Sequence, residues 1–205
     1  MPVAGYPGKG RAVRSVGRAQ SPTPAGAGCD DSSGLRARRK TAGGVGDAGC
    51  MSGESLVGAV ALPDGVRVRG RGRRQPVPEG PLPEFGLYLG RPGGGLFGGP
   101  AWQPSWPAEW VDWPDFRVPR DADAAAAAIA RAYARARAGE RVEVACGGGT
   151  GRTGTVIACM AILAGHPPAD AVAWTRREYR PKAVETPGQR RWVAWFAEHR
   201  PTVPG

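Results

Sequence analysis

Histidine and cysteine are scarce in this chain of 205 residues, which has two histidines, His166 and His199, and four cysteines, Cys29, Cys50, Cys146 and Cys159. The histidines lie far apart and no two cysteines are spaced CxxC, which excludes a zinc site of the usual ligand spacing. Cysteine is too sparse for a disulfide scaffold, so a reducing, cytoplasmic setting is expected. No apolar run is long enough to cross a membrane, and the first residues lack the apolar core of a signal peptide. Acidic residues are also few, since 18 Asp and Glu against 28 Lys and Arg leave a net charge of +10. That balance raises the prospect of a polyanionic partner or an anionic substrate. Half of the excess falls in residues 1–50, with eight Lys and Arg against three Asp.

Large apolar side chains are nearly missing from residues 1–50, which cannot bury enough surface to offset the entropy of ordering them. The segment reads as a disordered basic tail rich in Gly, Pro and Arg, or as an overextended start with Met51 as the true first residue. Its dispersed arginines argue against a dedicated nucleic-acid or membrane arm. Residues 51–205 read as the domain. GVRVRG (65–70) alternates like a short strand, and RGRR (71–74) reads as a solvated basic turn. FGLYLG (85–90) is a second strand candidate and GRPGGGLFGGP (90–100) a loop. Residues 101–119 read as a further loop, holding four of the seven tryptophans, with Trp102, Trp106 and Trp110 packing it onto the core. Asp121 caps an alanine-rich helix that Gly139 ends. ERVEVA (140–145) is a strand, followed by a glycine loop and a helix from about Gly154 to Leu163. Pro168 opens a helix to about Tyr179, and Pro187 opens the last, through Glu198. Helices before and after a central buried strand point to an α/β architecture.

The glycine loop admits three readings. GTGRTG (149–154) matches the dinucleotide fingerprint GxGxxG, but no strand with a terminal acidic residue follows it, and Asp170 lies in a helical pattern. The mononucleotide P-loop requires a Lys-Ser or Lys-Thr pair after its last glycine, and here the basic residue is Arg152. The third reading uses the cysteine: Cys146 and Arg152 frame five residues, Gly147, Gly148, Gly149, Thr150 and Gly151, and Thr153 follows.

This C-GGGTG-R-T stretch resembles the signature of the cysteine-dependent protein phosphatases, the protein-tyrosine and dual-specificity superfamily. A loop of that length can curl its backbone N–H groups towards one point, and the helix after it directs its positive end there. The resemblance implies that Cys146 is the nucleophile. Arg152 would hold two phosphoryl oxygens as a fork, and Thr153 would donate to the leaving sulfur. The loop residues 147–151 would bind the phosphoryl group. VDWPDFRVP (111–119) resembles the WPD loop of the family, with Asp115, 31 residues before Cys146, as general acid and then base. Trp113 would anchor that loop at the substrate site, and Asp112 matches no family position. RPKAVETPGQRRWVAWF (180–196) resembles the pattern of compact bacterial members, with Gln189 orienting the hydrolytic water. Two positions depart from the family. Ala145 stands where histidine is usual, and Glu185 stands where classical members have glutamine, so it must turn away from a bound dianion, towards Arg180 or Arg177.

The resemblance implies a central, mostly parallel sheet flanked by helices, in the manner of the protein-tyrosine phosphatases. It implies a metal-independent hydrolase without cofactor, acting on phosphotyrosine and also on phosphoserine or phosphothreonine of a protein or peptide. Tyr88, Trp102 and Trp106 are candidate walls of the cleft. No lysine or histidine lies between Cys146 and Arg152, which argues weakly against a phosphoinositide-type site. Arg71, Arg73 and Arg74 are candidates for steering acidic phosphopeptides or for plain solvation. Cys159 is expected in the core rather than as a resolving thiol. Two other functions stay open: a phosphopeptide-binding module without turnover, and, less well supported, a nucleic-acid binder.

Overall fold

The computed structural model describes residues 54–92 and 103–204. The readings of the 1–50 tail, of Met51, of Trp102 and of most of the 90–100 loop fall outside the described residues. Five strands form one sheet: β1 (Ala59–Ala61), β2 (Arg67–Gly72), β3 (Phe85–Leu89), β4 (Ala108–Val111) and β5 (Val142–Cys146). Their spatial order is β1-β2-β5-β3-β4. β5 lies between β2 and β3 and parallel to both, β4 extends the parallel run, and β1 is antiparallel at the edge. The mostly parallel α/β sheet is the one expected. β4 is a correction, because the tryptophan-rich segment was read as loop throughout. Paired to β3, its short AEWV run has the tertiary partner that a local reading lacks.

Four helices follow: α1 (Ala122–Arg137), α2 (Gly151–Leu163), α3 (Ala171–Glu178) after a 3₁₀ turn at Pro168–Asp170, and α4 (Pro187–Glu198). Asp121 caps α1 by accepting from the Ala124 N–H at 2.9 Å. α1 and α2 touch each other and both touch β5, so they share one face of the sheet, and α3 and α4 pack against α2. α2 is therefore enclosed, with every residue from Gly151 to Ile162 buried. Cys159 sits there at 0% exposure, in the core as expected. α2 begins three residues earlier than the sequence suggested, because Thr150 takes the cap position and its carbonyl already accepts from Gly154 N–H at 2.9 Å. Arg152 is thus a first-turn residue rather than a loop residue.

The other face of β5 is polar. Successive strand residues point to opposite faces, so Val142, Val144 and Cys146 face the helices while Glu143 and Ala145 face away. Glu143 is fully buried there between Arg69 and Arg71 of β2. Arg69 donates from Nε at 2.9 Å, and Arg71 grips the carboxylate from Nε and Nη2, each at 2.9 Å. The Tyr88 hydroxyl donates to the same carboxylate at 3.1 Å and accepts from Trp106 Nε1 at 2.8 Å. Two readings are corrected here. Arg71 belongs to a strand and is 4% exposed, not part of a solvated turn. Tyr88 is fully buried in this network, so it lines no cleft, and Trp106 points its indole N–H at Tyr88.

A buried pair is weakly stabilising as a whole but costly to break on one side, because the remaining charge loses its partner. Glu143→Ala leaves two buried guanidiniums facing an alanine. The unfolding free energy in a urea titration is expected to fall by about 3–5 kcal/mol. A fall below about 1 kcal/mol, the scale of a surface pair, would show that the arginines reach solvent instead.

Candidate active site

Cys146 ends β5, and the chain then curls through Gly147–Thr150 into α2. The curl is held from outside through its carbonyls. Cys146 O accepts from Arg73 N–H at 2.7 Å, and Gly147 O from Arg74 N–H at 3.3 Å. Gly148 O accepts from Arg180 Nη1 at 3.3 Å, Gly149 O from the Tyr179 hydroxyl, and Gly151 O from the Thr155 hydroxyl at 2.8 Å. With the carbonyls turned outward and paired, the N–H groups are free to turn inward, as an anion nest requires. Gly149 N–H donates to Cys146 Sγ at 3.1 Å. Gly149 has φ +74°, and an added Cβ would collide with the backbone of Arg71 and Gly72, so no other residue fits.

Cys146 is 2% exposed. Burial pushes its thiol pKa up, but the Thr153 hydroxyl and N–H, the Arg152 charge and the Gly149 N–H together outweigh that and hold it below the ordinary cysteine value. Cys159, with burial alone acting on it, is pushed well up. The two thiols therefore differ in reactivity through environment alone.

Arg152 is fixed by two loops. Its Nη1 donates to Trp113 O at 2.8 Å and Leu89 O at 3.2 Å, and its Nη2 meets Asp115 Oδ1 at 2.8 Å. Its Nε is buried without a partner. Asp115 is the predicted acid, and its side chain is 53% exposed. Asp112 is engaged elsewhere, with Arg91 and Arg120 at 3.3 Å each. Trp113 anchors the loop but does not line the site. Its indole is fully buried, donates to Arg117 O at 2.8 Å and packs edge-on against Trp192 of α4 at 5.0 Å, so only its carbonyl faces Arg152. The expected contact of its ring with substrate is corrected accordingly.

Gln189 lies beside Gly151 and serves a second purpose. Its Oε1 accepts from Glu185 N–H at 2.9 Å and Thr186 N–H at 3.3 Å, while Thr186 Oγ1 accepts from Gln189 N–H at 3.1 Å. This reciprocal pair is a capping box that starts α4. The Gln189 Nε2 is buried and unpartnered, a donor left over from the cap. Glu185 does not turn to Arg177 or Arg180 as expected; its Oε2 lies against Gly151 at the N-terminal turn of α2, where the helix dipole favours a carboxylate. Phe116 and Val184 are the non-glycine residues with positive φ among the described residues, at 56° and 58°. Each sits in a loop that borders the site, next to Asp115 and Glu185, which is where stored backbone strain concentrates.

The structure also explains Ala145. In register it lies between Arg71 of β2 and Tyr88 of β3 and is fully buried beside the Glu143 network, where an imidazole has no room. The bracing comes from the opposite face, from Tyr179. Its ring lies so close to Gly70 that an added Cβ there would meet ring carbons at 2.5 and 2.6 Å. Burial raises the Tyr179 pKa, which keeps its hydroxyl a donor to Gly149 O. Sequence reasoning passed over Tyr179 as the end of a helix; the missing histidine was the signal that something else must hold the loop.

Residues 115–193 match the PTP-SAK family, described as the DSP-PTPase phosphatase domain of Swiss Army Knife protein. The match takes in Asp115, the Cys146 loop and Gln189. Over these residues the chain is similar to the cysteine-dependent protein-tyrosine/dual-specificity phosphatases. Two crystal structures of Tk-PTP, one in the active form and one a mutant, are similar to this chain at 25% and 23% identity, with TM-scores of 0.49 and 0.48. Both cover 57% of this chain, which spans 79% and 78% of theirs. No curated protein matches the chain. Among the described residues no cluster of His, Cys, Asp or Glu could hold a metal ion, and no helix is long and apolar enough to cross a membrane.

The lowered thiol pKa predicts that iodoacetamide labels Cys146 at neutral pH while Cys159 stays unlabelled, read peptide by peptide by mass spectrometry. Thr153→Ala removes the largest influence lowering the pKa, so the pH midpoint of Cys146 alkylation is expected to rise. An unmoved midpoint would remove Thr153 from the site. Tyr179→Phe leaves the Gly149 carbonyl without its donor, a loss on the order of 1–3 kcal/mol. Calorimetry is expected to show at least tenfold weaker binding of inorganic phosphate, with the melting temperature lowered by a few degrees.

Proposed function

We propose that this phosphatase hydrolyses phosphorylated proteins or peptides, phosphotyrosine above all and phosphoserine or phosphothreonine in addition, through a cysteinyl-phosphate intermediate. The observation that carries the reading is the Cys146 thiol, accepting from Gly149 N–H at the mouth of a loop whose carbonyls are drawn outward, with Arg152 beside it and its pKa held below the ordinary cysteine value. A phosphoryl group entering the nest takes the free Nε and the Nη2 of Arg152, displacing the Asp115 side chain towards the leaving oxygen, where it takes up a proton from solvent and acts as the carboxylic acid. The Cys146 sulfur attacks phosphorus in line. The S–P bond forms as the P–O bond to the substrate breaks, and Asp115 gives its proton to the departing oxygen.

In the second step water attacks the same phosphorus and Asp115 takes its proton. The S–P bond breaks with its electron pair returning to sulfur, which Thr153 steadies, and inorganic phosphate leaves. The unpartnered Nε2 of Gln189 suits the holding of that water. Backbone N–H groups and Arg152 supply the charge stabilisation throughout, so the scheme needs no metal.

A phosphotyrosine peptide incubated with the full chain in EDTA tests this. Turnover is expected for the wild type, none for Cys146→Ser, and about a hundredfold or greater loss of kcat for Asp115→Ala. Peptide binding without turnover by the wild type would leave a binding module instead.

A further inference from the structure

We propose that Arg73 and Arg74 form a second anion subsite beside the phosphate loop, and that the preferred substrate carries a second phosphoryl group next to the one hydrolysed. The proposal rests on the reading of Cys146–Arg152 as the reacting loop.

The segment from Arg69 onwards carries arginines at 69, 71, 73 and 74. The first two are neutralised inside the protein by Glu143. The second two are not. Neither Arg73 nor Arg74 makes an ion pair among the described residues, and residues 93–102, which follow β3, contain no Asp or Glu. Both nonetheless converge on Arg152. A Cβ placed on Gly90 would lie 3.2 Å from Arg73 Nη2 and 3.5 Å from Arg152 Nη1. A Cβ placed on Gly147 would lie 3.5 Å from Arg152 Nη2 and 3.6 Å from Arg74 Nη2. Three guanidiniums thus crowd around two glycines, and among the described residues the carboxylate that pairs with any of them is Asp115, which the chemistry needs for itself.

Stacking of Arg73 over Trp110, at 4.9 Å, accounts for its attitude but not for its charge. Its Nε is buried with no partner. Burial first, and then the neighbouring Arg152, hold its pKa below the ordinary arginine value, as expected of a cation short of anions. Two uncompensated positive charges match one phosphoryl group, which carries about −1.5 to −2 at neutral pH, better than a single carboxylate. The glycine loop has no lysine or histidine of its own, and β2 delivers the additional charge from outside it. The second phosphoryl group can come from a neighbouring phosphorylated residue or from a small scaffold bearing two phosphates.

Calorimetric titration of full-length Cys146→Ser protein reads the subsite without turnover. The ligands are two matched pairs: a peptide carrying adjacent phosphotyrosine and phosphothreonine against the same peptide with phosphotyrosine alone, and a vicinal inositol bisphosphate against the monophosphate. The doubly phosphorylated member of at least one pair is expected to bind about tenfold tighter or better, and the pair in which this occurs identifies the source. Arg74→Met, at an exposed position, and Arg73→Met are each expected to bring that ratio towards one, while the Lys variants keep part of it. A ratio near one in both pairs, or a preference that survives both Met substitutions, overturns the subsite. Turnover of an aryl phosphate by the wild type is measured alongside. Its absence would count against the reacting-loop reading alone, because the affinity ratio stands without it.

Discussion

One buried carboxylate sets the frame in which the reacting loop is built. Glu143 lies on the central strand, three residues before the nucleophile, with a guanidinium from β2 on two of its sides and a phenol from β3 on another. Desolvated charges tolerate little displacement, so this cluster fixes how β2, β5 and β3 stand relative to one another. The consequence appears a few residues on, where these strands end. The N–H groups of Arg73 and Arg74 reach the carbonyls of Cys146 and Gly147 only because β2 ends level with β5. The carbonyl of Leu89 meets Arg152 because β3 ends on the other side. The polar layer under the sheet and the anion nest above it are one construction.

That construction also accounts for the family's missing histidine. The face of β5 that would carry an imidazole is occupied by the Arg71–Glu143–Tyr88 cluster, and the helical face supplies Tyr179 and Arg180 instead. The role has moved from the strand before the nucleophile to the end of α3, about thirty positions further along the chain.

Features that depend on near neighbours could be read from the sequence. The cap at Asp121, the alanine-rich helix behind it, the Cys146–Arg152–Thr153 spacing and the WPD segment are local patterns with local physical reasons. What escaped were contacts across large sequence separations. RGRR looks like a solvated turn until Glu143, 72 residues from Arg71, is placed against it. Tyr88 looks like a cleft wall until its hydroxyl is seen to be spent on that carboxylate. The start of α2 was set too late because glycine and threonine disfavour helix on their own, and the enclosing helices override that preference.

Arg152 binds the carbonyl of Trp113 with one arm and the carboxylate of Asp115 with another, so a single side chain is shared between the anion site and the acid-bearing loop. Two equilibria that draw on one group cannot be independent. Whatever free energy an incoming anion gains by taking Nη2 from Asp115 must reappear, with equal size, as a change in the balance between loop positions. The reciprocal also holds: a change in Trp192 that loosened the seat of Trp113 would alter anion affinity from α4, without touching the anion. In thermodynamic terms the loop and the ligand are heterotropic effectors of each other, linked through one guanidinium.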